Sequence, residues 1–194
     1  NFRSLTGDGC RICAAHGVEL EHMDYVQVHP TSLYTTRPGR VFLISESCRG
    51  EGAILLDARG ERFVDELLPR DVVSEAIREQ MRRDGLPYVR LSFERVAPEV
   101  ITGHFANIYQ HCRDEGYDIL HEPIPVVPAQ HYLMGGIHVD QDSRTTLPHL
   151  YAAGETSCNG VHGRNRLASN SLLESLVFSR LAARDIVRRR HAHA

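Results

Sequence analysis

Arg166 lies in the stretch His162-Gly163-Arg164-Asn165-Arg166-Leu167-Ala168-Ser169-Asn170-Ser171-Leu172-Leu173-Glu174. Just behind it, Leu172, Leu173, Leu176 and Val177 recur at helical spacing. Ala168-Ser169-Asn170-Ser171 supplies small polar residues of the kind that open a helix. A helix start carries unpaired N–H groups and partial positive charge. A fixed cation beside it makes a site for a carboxylate, a phosphate or a developing anion. Upstream, the apolar Leu150-Tyr151 runs into Ala152-Ala153-Gly154-Glu155, which reads as a strand end opening into a loop. Strand, loop, arginine and helix are expected to line one site. Other chemistry-bearing residues are dispersed. Glu46 and Arg49 stand three apart, on one side of a helical turn if Ser45-Glu46 caps one. Arg70 follows Pro69 at a helix start; residue types alone make it an exposed cation pairing with Asp71 or Glu75. His29 precedes Pro30, which stiffens the chain beside it.

The elements that must position these groups follow from pattern and punctuation. Gly7-Asp8-Gly9 reads as a turn, followed by a short helix from Cys10 to Ala15 ended by Gly17. Tyr25 to Val28 is expected as a strand running into His29-Pro30-Thr31. Ala53–Leu56 and Glu61–Val64 suit a hairpin around Asp57-Ala58-Arg59-Gly60. Pro69 opens a helix with Val72, Val73, Ala76, Ile77 and Met81 on its apolar face, and Gly85 closes it. A strand near Tyr88 to Phe93 and a helix from about Pro98 to Arg113 come next. Pro123, Pro125 and Pro128 impose an extended passage, and His131 to Gly136 reads as a linker-like crossing. Ile137–Val139 and Leu150–Ala153 are expected strands.

Composition narrows the classes. The 194 residues can bury one or two cores, and a net charge of −3 argues for neither nucleic acid nor an anionic membrane surface. No apolar run reaches membrane-spanning length. Five cysteines, odd in number and irregular in spacing, point to reduced thiols and a cytoplasmic protein. Cys10 and Cys13 have no second pair to complete a zinc site, and the twelve histidines are scattered, so no metal is expected. The chain opens at Asn1, with the Gly7-Asp8-Gly9 turn close behind, and reads as a piece of something longer; the closing His191-Ala192-His193-Ala194 is open to either a natural or an added origin.

These blocks closely resemble the flavoprotein family of L-aspartate oxidases and the flavoprotein subunits of succinate dehydrogenase and fumarate reductase. The resemblance runs from Thr6-Gly7-Asp8-Gly9 to about Asp185, and its blocks stand in family order. It implies an α+β fold in which a mixed capping domain, residues 21–133, is inserted between two segments of an incomplete Rossmann-like FAD-binding domain, residues 1–20 and 134–194. The G-x-G-x-x-G turn is absent, because neither Gly7-Asp8-Gly9 nor Gly50-Glu51-Gly52 has the third glycine in place. Half of the FAD site is therefore expected to be missing from this chain.

The implied reaction removes two hydrogens from a four-carbon dicarboxylate, sending a hydride to the flavin and a proton to a protein group. By resemblance, His29, Ser45, His131 and Arg166 grip the substrate. Ser45 stands where most members have threonine; hydroxyl donation survives and a methyl contact is lost. The family equivalent of Arg70 transfers the proton, and those of Glu46 and Arg49 relay it. A guanidinium holds its proton strongly, so the relay and charge balance must both contribute. Asp8, Glu155, Ser171 and Leu172 match residues that contact FAD. Far apart along the chain, His29, Ser45, Arg70, His131 and Arg166 are expected to gather around one pocket.

Arg166 to Glu174 and Val127-Pro128-Ala129-Gln130-His131-Tyr132 look like the aspartate oxidases. The dehydrogenase and reductase members usually have Gly-Gly at Ala168-Ser169 and Asp at Glu174. The expected reaction is L-aspartate to iminoaspartate, the first step toward quinolinate and NAD, with oxygen or fumarate as the electron acceptor. A succinate/fumarate oxidoreductase is the second reading. A third is a folded capping fragment that neither binds FAD nor catalyses.

Overall fold

Local signals and burial divide this chain into two folded units. The computed structural model describes residues 4–192. Residues 1–3 and 193–194, with the parts of the expectations that fall on them, lie outside the described residues. One unit is Val28–Gln130; the other is built from residues 4–27 and 131–192.

The first unit holds most of a four-stranded sheet in the order β2-β5-β4-β3, with β2 at Val26–Leu33, β3 at Ile54–Leu56, β4 at Val89–Ser92 and β5 at Ile124–Leu133. β3 and β4 run antiparallel with Leu55 opposite Leu91, and β4 and β5 with Leu91 opposite Ile124. These three side chains are fully buried. Helix α3, Arg70–Asp84, packs Val73 and Ile77 into the same core. It starts after Pro69 and stops at Gly85, whose φ of 65° only glycine adopts without strain. The other helices of this unit are α2 (Glu46–Gly50), α4 (Pro98–Gly103) and α5 (Ala106–Asp114).

Several expectations change here. The helix foreseen from Pro98 to Arg113 is two helices: Gly103 weakens the run, and Phe105, buried beside Ile101 and Ile108, draws the chain inward. The foreseen hairpin shrinks to one bridge, Leu56 with Arg62. Its turn forms, with Asp57 accepting from the Arg59 and Glu61 amides at 2.9 and 2.8 Å. The strand after it does not, because Glu66 reaches in and accepts the Leu55 amide at 2.7 Å. A side chain thus satisfies the backbone group that a ladder would have used. The segment read as a strand from Tyr25 into His29-Pro30-Thr31 is one strand from Val26 to Leu33, β2, with Tyr25 just before it. The proline-rich passage and the first part of the foreseen crossing form β5, in which Pro125 sits opposite Arg90 and its carbonyl accepts from the Tyr34 amide at 3.0 Å.

The second unit contains a small sheet, β1-β6-β7, from Leu20–Glu21, Gly136–His138 and Ser157–Cys158. β1 pairs with β6 antiparallel and β7 with β6 parallel. Helix α1, Asp8–Ala15, seats Cys10 and Cys13 against Val18, Ile137 and Val139. Gly135 and Gly136 make the sheet possible. A Cβ on Gly135 would lie 1.9 Å from the His22 carbonyl oxygen, and one on Gly136 2.4 Å from that of Thr156. The strand expected at Leu150–Ala153 is a single bridge, Tyr151 with Arg144.

Helix α6, Asn170–Ala192, is fastened by Asp185, which is buried. Its carboxylate accepts from Tyr151 Oη at 2.8 Å, Arg188 at 2.5 Å and Arg189 at 2.9 Å. The residues whose spacing pointed to this helix, Leu172, Leu173, Leu176 and Val177, are exposed, while Glu174, Ala182 and Asp185 face inward. Among the described residues no helix is long and apolar enough to cross a membrane.

Two outcomes follow. Gly135→Ala forces a methyl into backbone that cannot rotate away. Its cost should reach or exceed the upper end of the roughly 1–3 kcal/mol typical of overpacking, read as a lowered melting transition by circular dichroism. For Asp185, burial pushes the carboxyl up, but the hydrogen bonds from Arg188 and Tyr151 and the nearby Arg144 outweigh it and hold it below the usual carboxylate range. A depressed folded-state value adds stability that is complete above the unfolded value, near ~3.9, and disappears as pH falls through the folded value. Asp185→Asn should therefore melt lower at pH 7 and lose stability less steeply on acidification.

Candidate functional site

In the first unit, three of the expected residues come together. Ser45 caps α2, its Oγ accepting from the Ser47 amide at 3.2 Å. The cap fixes Glu46 and Arg49 one turn apart, and Arg49 Nη2 lies 3.6 Å from Glu46 Oε2. The same oxygen accepts from Arg70 Nε at 2.5 Å. One carboxylate oxygen therefore stands between two guanidinium groups.

Arg70 is buried rather than exposed, and it donates to Glu46, 24 positions away, a pairing to which sequence spacing did not point. It is also the first residue of α3, where the helix dipole disfavours a cation. Glu46 supplies the compensating charge. Arg49 is deeper still, 3 % exposed, and donates from Nη1 to the Glu66 carbonyl at 2.6 Å. Burial pushes the Arg49 guanidinium down, the Glu46 charge pushes it up, and the Arg70 cation lowers it again, for a net decrease. Its Nε and Nη2 are buried with no hydrogen-bond partner among the described residues. Such an array can hold an anion and pass a proton between Arg70 and Glu46.

His29 is buried in β2, and its Nδ1 accepts the Thr31 amide at 3.2 Å. In the neutral ring this places the proton on Nε2. The Ser45 hydroxyl is engaged locally, capping α2 and lying 3.3 Å from Ser47 Oγ. Ser45 also lines a cavity of about 260 Å³ with Ser47, His104 and Asn107.

In the second unit, Arg166 is 4 % exposed, and its guanidinium carbon lies 4.3 Å above the Tyr132 ring. Gln27 pins the backbone there, donating to the Arg166 carbonyl at 2.7 Å and to Asn165 Oδ1 at 3.1 Å. Burial pushes the Tyr132 phenol up to about 12. His131 is half-buried next to it. Glu155 accepts the Leu133 amide at 3.1 Å. Asp8 is exposed and pairs with Arg11 at 2.5 Å. Ser171 and Leu172 lie in the first turn of α6, which carries no acidic residue. Ser169, just before that helix, has a φ of 65°, strained for a residue with a Cβ.

Tyr132, Asn159, His162 and Glu174 were missed as site residues. His162 Nε2 and Glu174 Oε2 are buried 4.0 Å apart, and Asn159 donates to the other Glu174 oxygen at 2.6 Å. The available signal was a carboxylate, Glu174, set directly after Leu172-Leu173. Among the described residues no group of three His, Cys, Asp or Glu side chains is placed to hold a metal.

The second unit fits part of a flavin site. A helix start without acidic residues presents amides to an electron-rich ring edge, and the exposed Leu172 and Leu173 offer it an apolar surface. The glycine-rich phosphate cradle is not among these residues.

Comparison with known proteins agrees. The family described as FAD binding domain matches residues 1–172. The chain is 52 % identical over 187 residues to the L-aspartate oxidase of Clostridium perfringens, covering 96 % of this chain and 43 % of that protein. It is 46 % identical over 190 residues to the L-aspartate oxidase of Pseudomonas aeruginosa, covering 95 % and 35 %. Among solved structures, a variant of the E. coli quinol fumarate reductase subunit FrdA superposes with a TM-score of 0.86 at 36 % identity, over 98 % of this chain and 36 % of that one. A quinol-fumarate reductase with menaquinol gives 0.87 at 38 % identity, over 98 % and 37 %. The chain thus spans less than half the length of these relatives. With the family match running through almost all of its sequence, and with the fold of the fumarate reductase flavoproteins, this chain belongs to the FAD-binding domain family.

Proposed function

We propose that this chain is part of a cytoplasmic L-aspartate oxidase, converting L-aspartate to iminoaspartate, with oxygen or fumarate as the electron acceptor. The observation that carries the reading is the Arg49–Glu46–Arg70 array, one carboxylate oxygen held between two buried cations. Residues 21–133 act as a capping domain inserted into the flavin domain, and Asp8, Glu155, Ser171 and Leu172 contact FAD.

FAD, when bound, supplies the acceptor for the hydride. The protein's own groups do the rest. A four-carbon dicarboxylate requires a cation or donor for each carboxylate. Arg166 is buried and braced on Tyr132, so little of its side-chain freedom is left to lose on binding an anion. His29, with Nδ1 occupied by the Thr31 amide, carries its ring proton on Nε2 in the neutral form. Ser45 and His131 complete the grip. As the substrate gives up its proton to Arg70, the Arg70 Nε–H proton passes to Glu46 Oε2, with which it is already in hydrogen-bond contact, so the guanidinium stays singly charged. Arg49 completes the array, its Nη2 lying 3.6 Å from the same Glu46 oxygen.

The reductase reading has support from the fold, with fumarate reductases superposing at 36–38 % identity. The higher identity to aspartate oxidases, 46–52 %, favours the amino-acid substrate.

The test uses the full-length protein with FAD. The expected result is turnover of L-aspartate in preference to succinate, with Arg70→Lys cutting turnover by about 10²-fold or more while the bound-flavin absorbance stays unchanged. Near-normal turnover in that variant would remove Arg70 from the mechanism, and turnover of succinate alone would establish the reductase reading.

A further inference from the structure

Behind Arg166 lies a buried pair that the reaction described above does not use. Glu174 is 5 % exposed, and its Oε1 accepts from Asn159 Nδ2 at 2.6 Å. Its Oε2 is buried with no hydrogen-bond partner among the described residues, and the same holds for His162 Nε2, 4.0 Å away. Buried polar atoms left unmatched are rare in folded proteins, and two that face each other have an obvious remedy. A small rotation, or one bridging water, joins them. The His162 ring meets the Tyr132 ring edge-on, with centroids 5.8 Å apart and planes at 87°. The opposite partner of Tyr132 is the Arg166 guanidinium. The sequence of contacts is therefore Glu174, His162, Tyr132, Arg166.

We propose that Glu174 and His162 are positioning residues for Arg166, acting through a carboxyl-to-imidazole hydrogen bond that sets the ring on which the Tyr132–Arg166 stack rests. The two buried atoms face each other 4.0 Å apart, and their surroundings shift both groups in opposite directions. Burial pushes the Glu174 carboxyl up, partly offset by Asn159, the Gly154 amide and Ser175 and reinforced by the Glu155 charge. Burial, with the Arg166 cation, pushes the His162 imidazole down. The bond takes an O–H from Glu174 and a lone pair on His162 Nε2, the direction in which both shifts run. The groups that face the pair are Asn159, Ser175, Glu155, Tyr132 and Arg166. Of these, Tyr132 keeps its proton, its phenol being pushed up to about 12 by burial, and the Arg166 charge is permanent. Loss of the Glu174 proton is the event that breaks the bond as pH rises. The proposal rests on the reading of Arg166 as the group that holds a substrate carboxylate.

The experiment uses full-length, flavin-loaded protein, with L-aspartate as substrate and succinate as a dicarboxylate binding probe. Glu174→Leu should raise the aspartate KM and the succinate Kd about ten-fold or more with little change in kcat, because a misplaced grip weakens binding first. Glu174→Gln, which still donates to His162 and cannot ionise, should restore wild-type affinity. The wild type should bind less tightly as pH rises through the Glu174 titration, and Glu174→Gln should lack that limb. Wild-type KM and Kd in Glu174→Leu, or the same limb persisting in Glu174→Gln, would overturn the proposal. If Glu174→Leu fails to retain flavin, the Glu174→Gln pH profile decides. Arg166→Ala separates the two readings. Unchanged succinate binding in that variant rejects the role of Arg166 and this proposal with it. Weakened binding there, beside an unaffected Glu174→Leu, rejects the pair alone.

Discussion

Glu46 Oε2 is the point on which the first unit's buried charges depend. It lies 2.5 Å from Arg70 Nε and 3.6 Å from Arg49 Nη2. Two buried guanidinium groups brought together without a carboxylate would repel in a medium where charges are poorly screened. With Glu46 between them they form an array whose protons can redistribute. The fold spends several features on holding this one oxygen in place. Ser45 caps α2, Pro69 fixes the start of α3, and the Glu66 carbonyl anchors Arg49 from behind. Glu66 in turn is buried and held by Arg62 and by the Leu55 amide. The sheet core and the charged array are thus joined through one side chain, and neither can shift without the other.

Much of this frame was legible in the residues. Gly85 ends α3, the Asp57–Gly60 turn forms, and Cys10 and Cys13 face a core. These are local decisions, set by backbone freedom, turn chemistry and short-range periodicity. The spacing of Glu46 and Arg49 also showed that they could share a helical side. What was not legible were pairings across sequence. Nothing in the residues around Arg70 points to Glu46, because that contact arises only when α2 and α3 pack in the same unit. Glu66 capping the edge of β3 has the same character: a strand pattern at 61–64 was real, but a side chain from further along took the hydrogen bond first.

The resemblance to a known family supplied what spacing did not. It singled out Arg70 and Arg166, both of which proved buried, against the ordinary expectation for arginine. A buried arginine must be matched by hydrogen bonds, ion pairs or aromatic faces. The two solve this differently, Arg70 with a carboxylate and Arg166 with a tyrosine face beneath its guanidinium. A charge neutralised by a carboxylate suits proton exchange. A charge stacked on an aromatic ring stays a full cation without a carboxylate to neutralise it, which suits an incoming anion.

Helix α6 shows why periodicity misleads when polar groups are well matched. Its leucines at 172, 173 and 176 define an apolar stripe, and a reader would turn that stripe inward. In this unit the helix turns Glu174, Ala182 and Asp185 inward instead. Asp185 tolerates burial because Tyr151, Arg188 and Arg189 all donate to it, and Glu174 is held on one of its oxygens by Asn159. Apolar area drives burial in proportion to its extent, but it carries no direction. Hydrogen bonds to a buried carboxylate do carry direction, since an unmatched carboxylate would be costly. Hydrophobic spacing thus predicted that α6 would be a helix, and the two acids determine which of its sides this unit receives.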